Sequence, residues 1–136
     1  MTLPPVDILH SGPFTLAVAN HGEVRTFTRR GVADLAGLLE TDPGFLHGSA
    51  VADKVVGRAA AALMILGGVE RLHTRVISLH ALSLLDESDM HVQWDEVTDH
   101  VINRNGDGWC PLETLCRELA TPQQCYAAIR KFLYNG

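Results

Sequence analysis

The sequence predicts an α/β domain, a three-layer α/β/α sandwich with a mixed sheet. Three observations predict it. Two stretches of alternating β-formers flank a turn near the start. One long segment in the middle is apolar on every side. After it, strand-like and helix-like segments alternate, which implies crossover connections and parallel pairing. At 136 residues the chain fits a single domain, spanning 1–136. A chain of that length buries roughly two-thirds of its unfolded surface and needs no staple to fold.

The elements follow in order. PPVDILHSG gives one or two helical turns that stop at Gly12-Pro13. FTLAVAN (14–20) and EVRTFTR (23–29) alternate, and Asn20-His21-Gly22 between them tolerates positive φ, so a hairpin is expected. Val32, Leu35, Leu38 and Leu39 recur at helical spacing until Thr41-Asp42-Pro43-Gly44. A helix is expected from about Ala50 to Leu66, stopped by Gly67-Gly68. RLHTRVIS (71–78) reads as a strand, Leu79 to Leu85 as a short helix and HVQW (91–94) as a strand. EVTDHVIN adds a turn and a further strand. Pro111 suits the first turn of a helix to about Leu119, and Thr121 the N-cap of a last helix over 121–136.

Composition excludes several functions. The net charge is −5 and a pair such as Arg29-Arg30 is no basic patch, so no nucleic-acid partner is expected. The longest near-apolar run, 59–69, falls well short of the roughly 20 residues a membrane span needs. Cys110, Cys116 and Cys125 are odd in number and no leader precedes them, so reduced thiols in a cytoplasm are expected.

NRNGDGWCPLE (103–113) is the chemically densest stretch. Asn103, Asn105, Asp107 and Gly108 imitate half of a calcium loop, but position one lacks a charge and position twelve is Thr114. Zinc deamination needs H-x-E with P-C-x-x-C; His21-Gly22-Glu23 lies in a hairpin turn and no C-x-x-C exists. No metal and no cofactor are therefore expected.

Two groups of residues remain as site candidates. Asp53 and Lys54 open the expected 50–66 helix, and Lys54 and Arg58 share one face of it, where free N–H groups favour an anion. Capping by the macrodipole accounts for Asp53 equally well. Cys110 precedes Pro111 at the mouth of a helix, a position that makes a thiol reactive, with Glu113 beside it. Cys110, Glu113 and Asp53 are the candidate catalytic groups. Lys54, Arg58, Asn103 and Arg104 are the candidate ligand-binding groups. Cys116 and Cys125 read as packing residues.

ADKVVGRAAA (52–61), LGGV (66–69), VIS (76–78) and VINRNGDGWCPLE (101–113) resemble a small bacterial family of unknown function with a cytidine-deaminase-like fold. The resemblance covers about 13–120. It implies that Ala52-Asp53-Lys54 and Leu79–Ser83 occupy the places of the two zinc motifs, both of which are absent. Without a metal hydroxide, hydrolytic deamination loses its nucleophile. Two functions follow as expectations. One is a nucleotide-like small molecule bound between the 52–58 helix start and the 103–113 loop. The alternative is a non-catalytic homodimeric interaction or regulatory module, in which the 103–113 stretch is structural.

Overall fold

A computed structural model describes residues 5–29, 32–103 and 106–135. The expected hairpin forms from β1 (Leu16–Asn20) and β2 (Glu23–Phe27), paired antiparallel from Leu16↔Phe27 to Asn20↔Glu23. Its two-residue turn needs positive φ at both positions, and His21 (52°) and Gly22 (77°) provide it. β1 also pairs antiparallel with β3 (Ala50–Val56), and β3 runs parallel to β4 (Arg71–Ser78), which runs parallel to β5 (His91–Thr98). The sheet is mixed, in the order β2-β1-β3-β4-β5.

The expected helix from Ala50 is corrected here. AVADKVV (50–56) is a strand, and the helix α4 begins only at Arg58 and runs to Gly67. An apolar run reads the same whether a strand or a helix is buried on all sides. Val51, Val55 and Val56 favour the strand, and extended Gly57 (φ −99°, ψ −177°) separates the two elements. Strand β5 continues to Thr98, past the expected end at Trp94, because β4 offers it a full-length partner. The further strand expected within 95–102 reduces to one bridge, Ile102↔Trp109.

Helix α4 is the centre of the main core. Ala59 to Met64 are all buried, as its composition requires. Around it pack α2 (Ala33–Thr41), the short α3 (Pro43–Leu46), α5 (Leu79–Leu85), α6 (Pro111–Cys116) and α7 (Pro122–Asn135). α7 is held to α2 by Tyr126 and Tyr134, whose hydroxyls donate to Glu40 at 3.1 and 2.9 Å. The other face of the sheet carries only α1 (Pro5–His10) among the described residues, and it packs on β1 and β3 through Leu9, Ala17 and Ala52. The third layer thus covers part of one face.

The parallel strands switch faces midway. Val51 and Val56 both enter the main core, as do Leu72 and Ile77. Residues five apart on a regular strand point to opposite faces. The register passes from Asp53↔Thr74 to Val55↔Val76, so both strands turn over at the same level. Polar side chains accompany the turnover: the Thr74 hydroxyl donates to the Val76 carbonyl at 3.1 Å, and the Asp53 carboxyl lies against the Lys54 and Val55 amides.

Candidate functional site

The C-terminal ends of β3, β4 and β5 meet the starts of α4, α5 and α6. In open α/β sheets this is the edge where ligands bind. Gly57 leaves β3 here so closely packed that a Cβ would stand 3.0 Å from Val101 and 3.2 Å from the Glu113 carboxylate. Glycine is the residue that permits this approach.

Glu113 is buried, with 1% of its surface exposed. One carboxylate oxygen accepts from the Arg58 amide at 2.8 Å and the other from the Val101 amide at 2.8 Å. The first bond satisfies a free N–H at the start of α4. A helix start of this kind attracts an anion, and the chain supplies its own. The two bonds also fasten α6 to α4 and to the segment after β5.

Arg58 does not share a helical face with Lys54, since the two lie in different elements. Its side chain is buried, and Nε and Nη2 donate to the Leu119 carbonyl at 3.1 and 2.6 Å. Nη1 donates to the His80 carbonyl at 2.7 Å. The guanidinium therefore ties the end of α6 to the start of α5. Lys54 is exposed in β3. Asp53 stands mid-strand, opposite Leu16 on one side and Thr74 on the other, away from the helix start. Burial pushes its carboxyl up to about 8, against the opposing pull of the Val55 and Lys54 amides.

The 103–113 stretch is satisfied largely from within. The Asn103 amide donates to the Asp107 carboxylate at 2.9 Å, and the Asp107 N–H donates back to Asn103 at 3.2 Å. The Cys110 N–H donates to the Val101 carbonyl at 2.7 Å, and Cys110 itself is a half-buried free thiol. Arg104 lies outside the described residues. Trp109 stacks on His100 with centroids 4.2 Å apart and planes 8° apart, has His80 tilted against it at 5.2 Å, and has the Arg117 guanidinium 5.1 Å from its centroid. His80, His100 and Arg117 were not legible as partners, because they come from three elements with no common spacing. Ser78 was legible in principle: its hydroxyl accepts from the Ala81 amide at 3.0 Å and caps α5, an ordinary serine N-cap.

Beneath this surface Cys116 and Cys125 are fully buried, on α6 and α7. The interaction between the two thiols, followed by burial, drives Cys116 upward. The same interaction, helped by Arg58 and opposed by burial, brings Cys125 down to about 7.

The structure thus brings Arg58 and Glu113 together, ties Cys110 to the same Val101 that Glu113 holds, and sets Asp53 and Lys54 in β3. Two shallow grooves lie elsewhere. One of about 410 Å³ is lined by His73, Val92, Gln93 and Trp94, and one of about 400 Å³ by Ala127, Arg130, Lys131 and Tyr134. No helix among the described residues is long and apolar enough to cross a membrane.

No curated protein matches this chain. A solved structure does, the crystal structure of a DUF1893 family protein (TM1506) from Thermotoga maritima at 2.70 Å resolution. The likeness has a TM-score of 0.86 at 26% identity and covers 93% of this chain and 85% of that one. The model of the TM1506 family, described as a domain of unknown function (DUF1893), matches residues 6–133, nearly the whole chain, which therefore belongs to that family.

Proposed function

We propose that this chain is a non-catalytic interaction module that works as a homodimer, on a scaffold we read as cytidine-deaminase-like. The observation that carries the proposal is the open end of the sheet. β5 is the terminal strand, eight residues long, and Trp94 and Val97 on it are 43% and 45% exposed. A long terminal strand with exposed apolar residues offers a row of unpaired backbone groups to a second chain. The chemistry of the candidate site supports the same reading. Glu113 fills the anion position at α4, Asn103 and Asp107 bond each other, and Arg58 is spent on carbonyls. The place that the resemblance assigns to a zinc motif, Ala52–Lys54, falls in the middle of a strand.

Sedimentation velocity over a concentration series tests the proposal. A dimer with concentration-dependent dissociation is expected. A single monomeric species up to the highest concentration reached sinks it.

One observation favours a second reading, a nucleotide-like small molecule. His80, Trp109 and His100 form a ring cluster at the strand ends with Arg117 beside it, a surface on which a planar anionic ligand could stack. On this reading a panel of nucleosides and nucleotides contains a compound that raises Tm by several degrees, and Trp109→Ala removes the shift. A flat panel eliminates it.

A further inference from the structure

We infer that Cys116 and Cys125 form a redox-active dithiol, which a hydroperoxide converts to a disulfide joining α6 to α7 within one chain. This inference goes beyond the interaction reading above and does not depend on dimerisation.

The two helices place the thiols together. Cys116 is the last residue of α6, and Cys125 stands in the first turn of α7, which begins at Pro122. α6 packs on α7, and both thiols belong to the main core, each with 0% of its surface exposed. Their side chains are hydrogen-bond partners.

Arg58 makes the two sulfurs unequal. Its Nη2 holds the Leu119 carbonyl, in the connection between the cysteines, at 2.6 Å. The same guanidinium hydrogen-bonds the Cys125 side chain. A nearby cation and the first turn of a 14-residue helix both favour a thiolate. The hydrogen bond with Cys116, and after it the Arg58 charge, lower the Cys125 thiol against the opposing effect of burial. Cys116, bonded to Cys125 and close to the Glu113 carboxylate, keeps its proton. Cys125 is therefore the attacking sulfur and Cys116 the resolving one.

The chemistry balances. The Cys125 thiolate attacks one oxygen of the hydroperoxide. An S–O bond forms, the O–O bond breaks, and the departing oxygen takes the proton that Cys125 gave up. The Cys116 sulfur then attacks the Cys125 sulfur. The S–S bond forms, the S–O bond breaks, and water leaves with the Cys116 proton. The thiols have lost two hydrogens, and hydrogen peroxide has become two waters.

The oxidant reaches the pair through the segment between the cysteines. Arg117, Glu118, Ala120, Thr121, Gln123 and Gln124 are all exposed. The segment is held by the Gln124 side chain, which accepts from the Ala120 and Thr121 amides at 2.9 and 3.2 Å, and by the Arg58 grip on Leu119. A short segment held largely by exposed hydrogen bonds opens locally without global unfolding, and this one has a thiol at each end.

The test treats the native full chain with one equivalent of hydrogen peroxide. Free thiols are then alkylated under denaturing conditions and mapped by mass. The expected product joins Cys116 to Cys125 within one chain and leaves Cys110 free for alkylation, although Cys110 is the more exposed thiol. This bond is expected to exceed any bond that includes Cys110 by roughly tenfold or more. Dithiothreitol is expected to restore the thiols. Full alkylation of Cys116 and Cys125, a bond to Cys110 as the main product, or a link between chains overturns the proposal. A Cys116→Ser variant, checked for folding by circular dichroism, tests the roles. It is expected to stop at a sulfenic acid on Cys125, trapped by a 1,3-diketone. Trapping at Cys110 alone overturns the assignment of Cys125 as the attacking sulfur. If that variant does not fold, the mapping of the unaltered chain decides by itself.

Discussion

Glu113→Ala is expected to lower the stability of the fold by about 2–4 kcal/mol, the cost of leaving hydrogen-bond donors of a buried corner without their acceptor. Among the described residues the carboxylate is the sole hydrogen-bond acceptor of the Arg58 and Val101 amides. Removing it leaves one buried and one part-buried donor without partners, the buried one costing about 1–3 kcal/mol. It also removes the cap of α4, worth about 1 kcal/mol, so these contributions overlap rather than add. The consequence reaches beyond one helix, because the two bonds are what fasten α6 and the segment after β5 onto α4. Glu113→Gln keeps one carbonyl oxygen but turns an amide donor toward the second N–H, so a smaller loss is expected. Urea unfolding at fixed protein concentration measures both. Fixed concentration matters, since dimerisation would make stability depend on it. A loss under 1 kcal/mol for the alanine variant would show that the two amides find other partners and that Glu113 is not the anchor of this corner.

The second large effect is a pH dependence that belongs to Asp53. Its carboxyl is raised from the ordinary aspartate value to about 8 by burial. Between about pH 4 and pH 8 the folded chain therefore holds a proton at Asp53 that the unfolded chain has released. Stability falls wherever the folded state binds more protons and pH rises. This contribution is fully present below the unfolded pKa near 4. It is lost through the window up to pH 8, at no more than about 1.4 kcal/mol per pH unit. Asp53→Asn keeps the shape of the neutral acid and has nothing to ionise. The variant is expected to lack this slope and to be the more stable protein above pH 8, by several degrees in Tm. Comparing the two proteins cancels the slopes of all other groups. Parallel Tm curves from pH 4 to 9 would mean that Asp53 is ionised in the folded chain and reaches water.

How much of this was legible depends on the range of the interaction involved. The hairpin, the α2 stop at Asp42, the burial of Ala59–Met64 and the Thr121 cap were all readable. Each is fixed by neighbours within a few residues. The error at 50–56 has the opposite origin. AVADKVV has no local property that excludes a helix, and it becomes a strand because β1 and β4 pair with it on both sides. With that error went the shared face of Lys54 and Arg58 and the idea that Asp53 opens a helix.

By itself the sequence determined the α/β class and the mixed sheet, and it singled out the 103–113 stretch as chemically dense. These follow from periodicity, turn residues and composition, which act within a segment. Only the tertiary structure decided what that stretch does. Glu113 bonds an amide 55 positions earlier, Arg58 grips a carbonyl 61 positions later, and Trp109 is packed by His80, His100 and Arg117. The face switch of β3 and β4 is likewise a property of adjacent strands turning over together. Partners so distant along the chain are chosen by packing, and no local spacing records them.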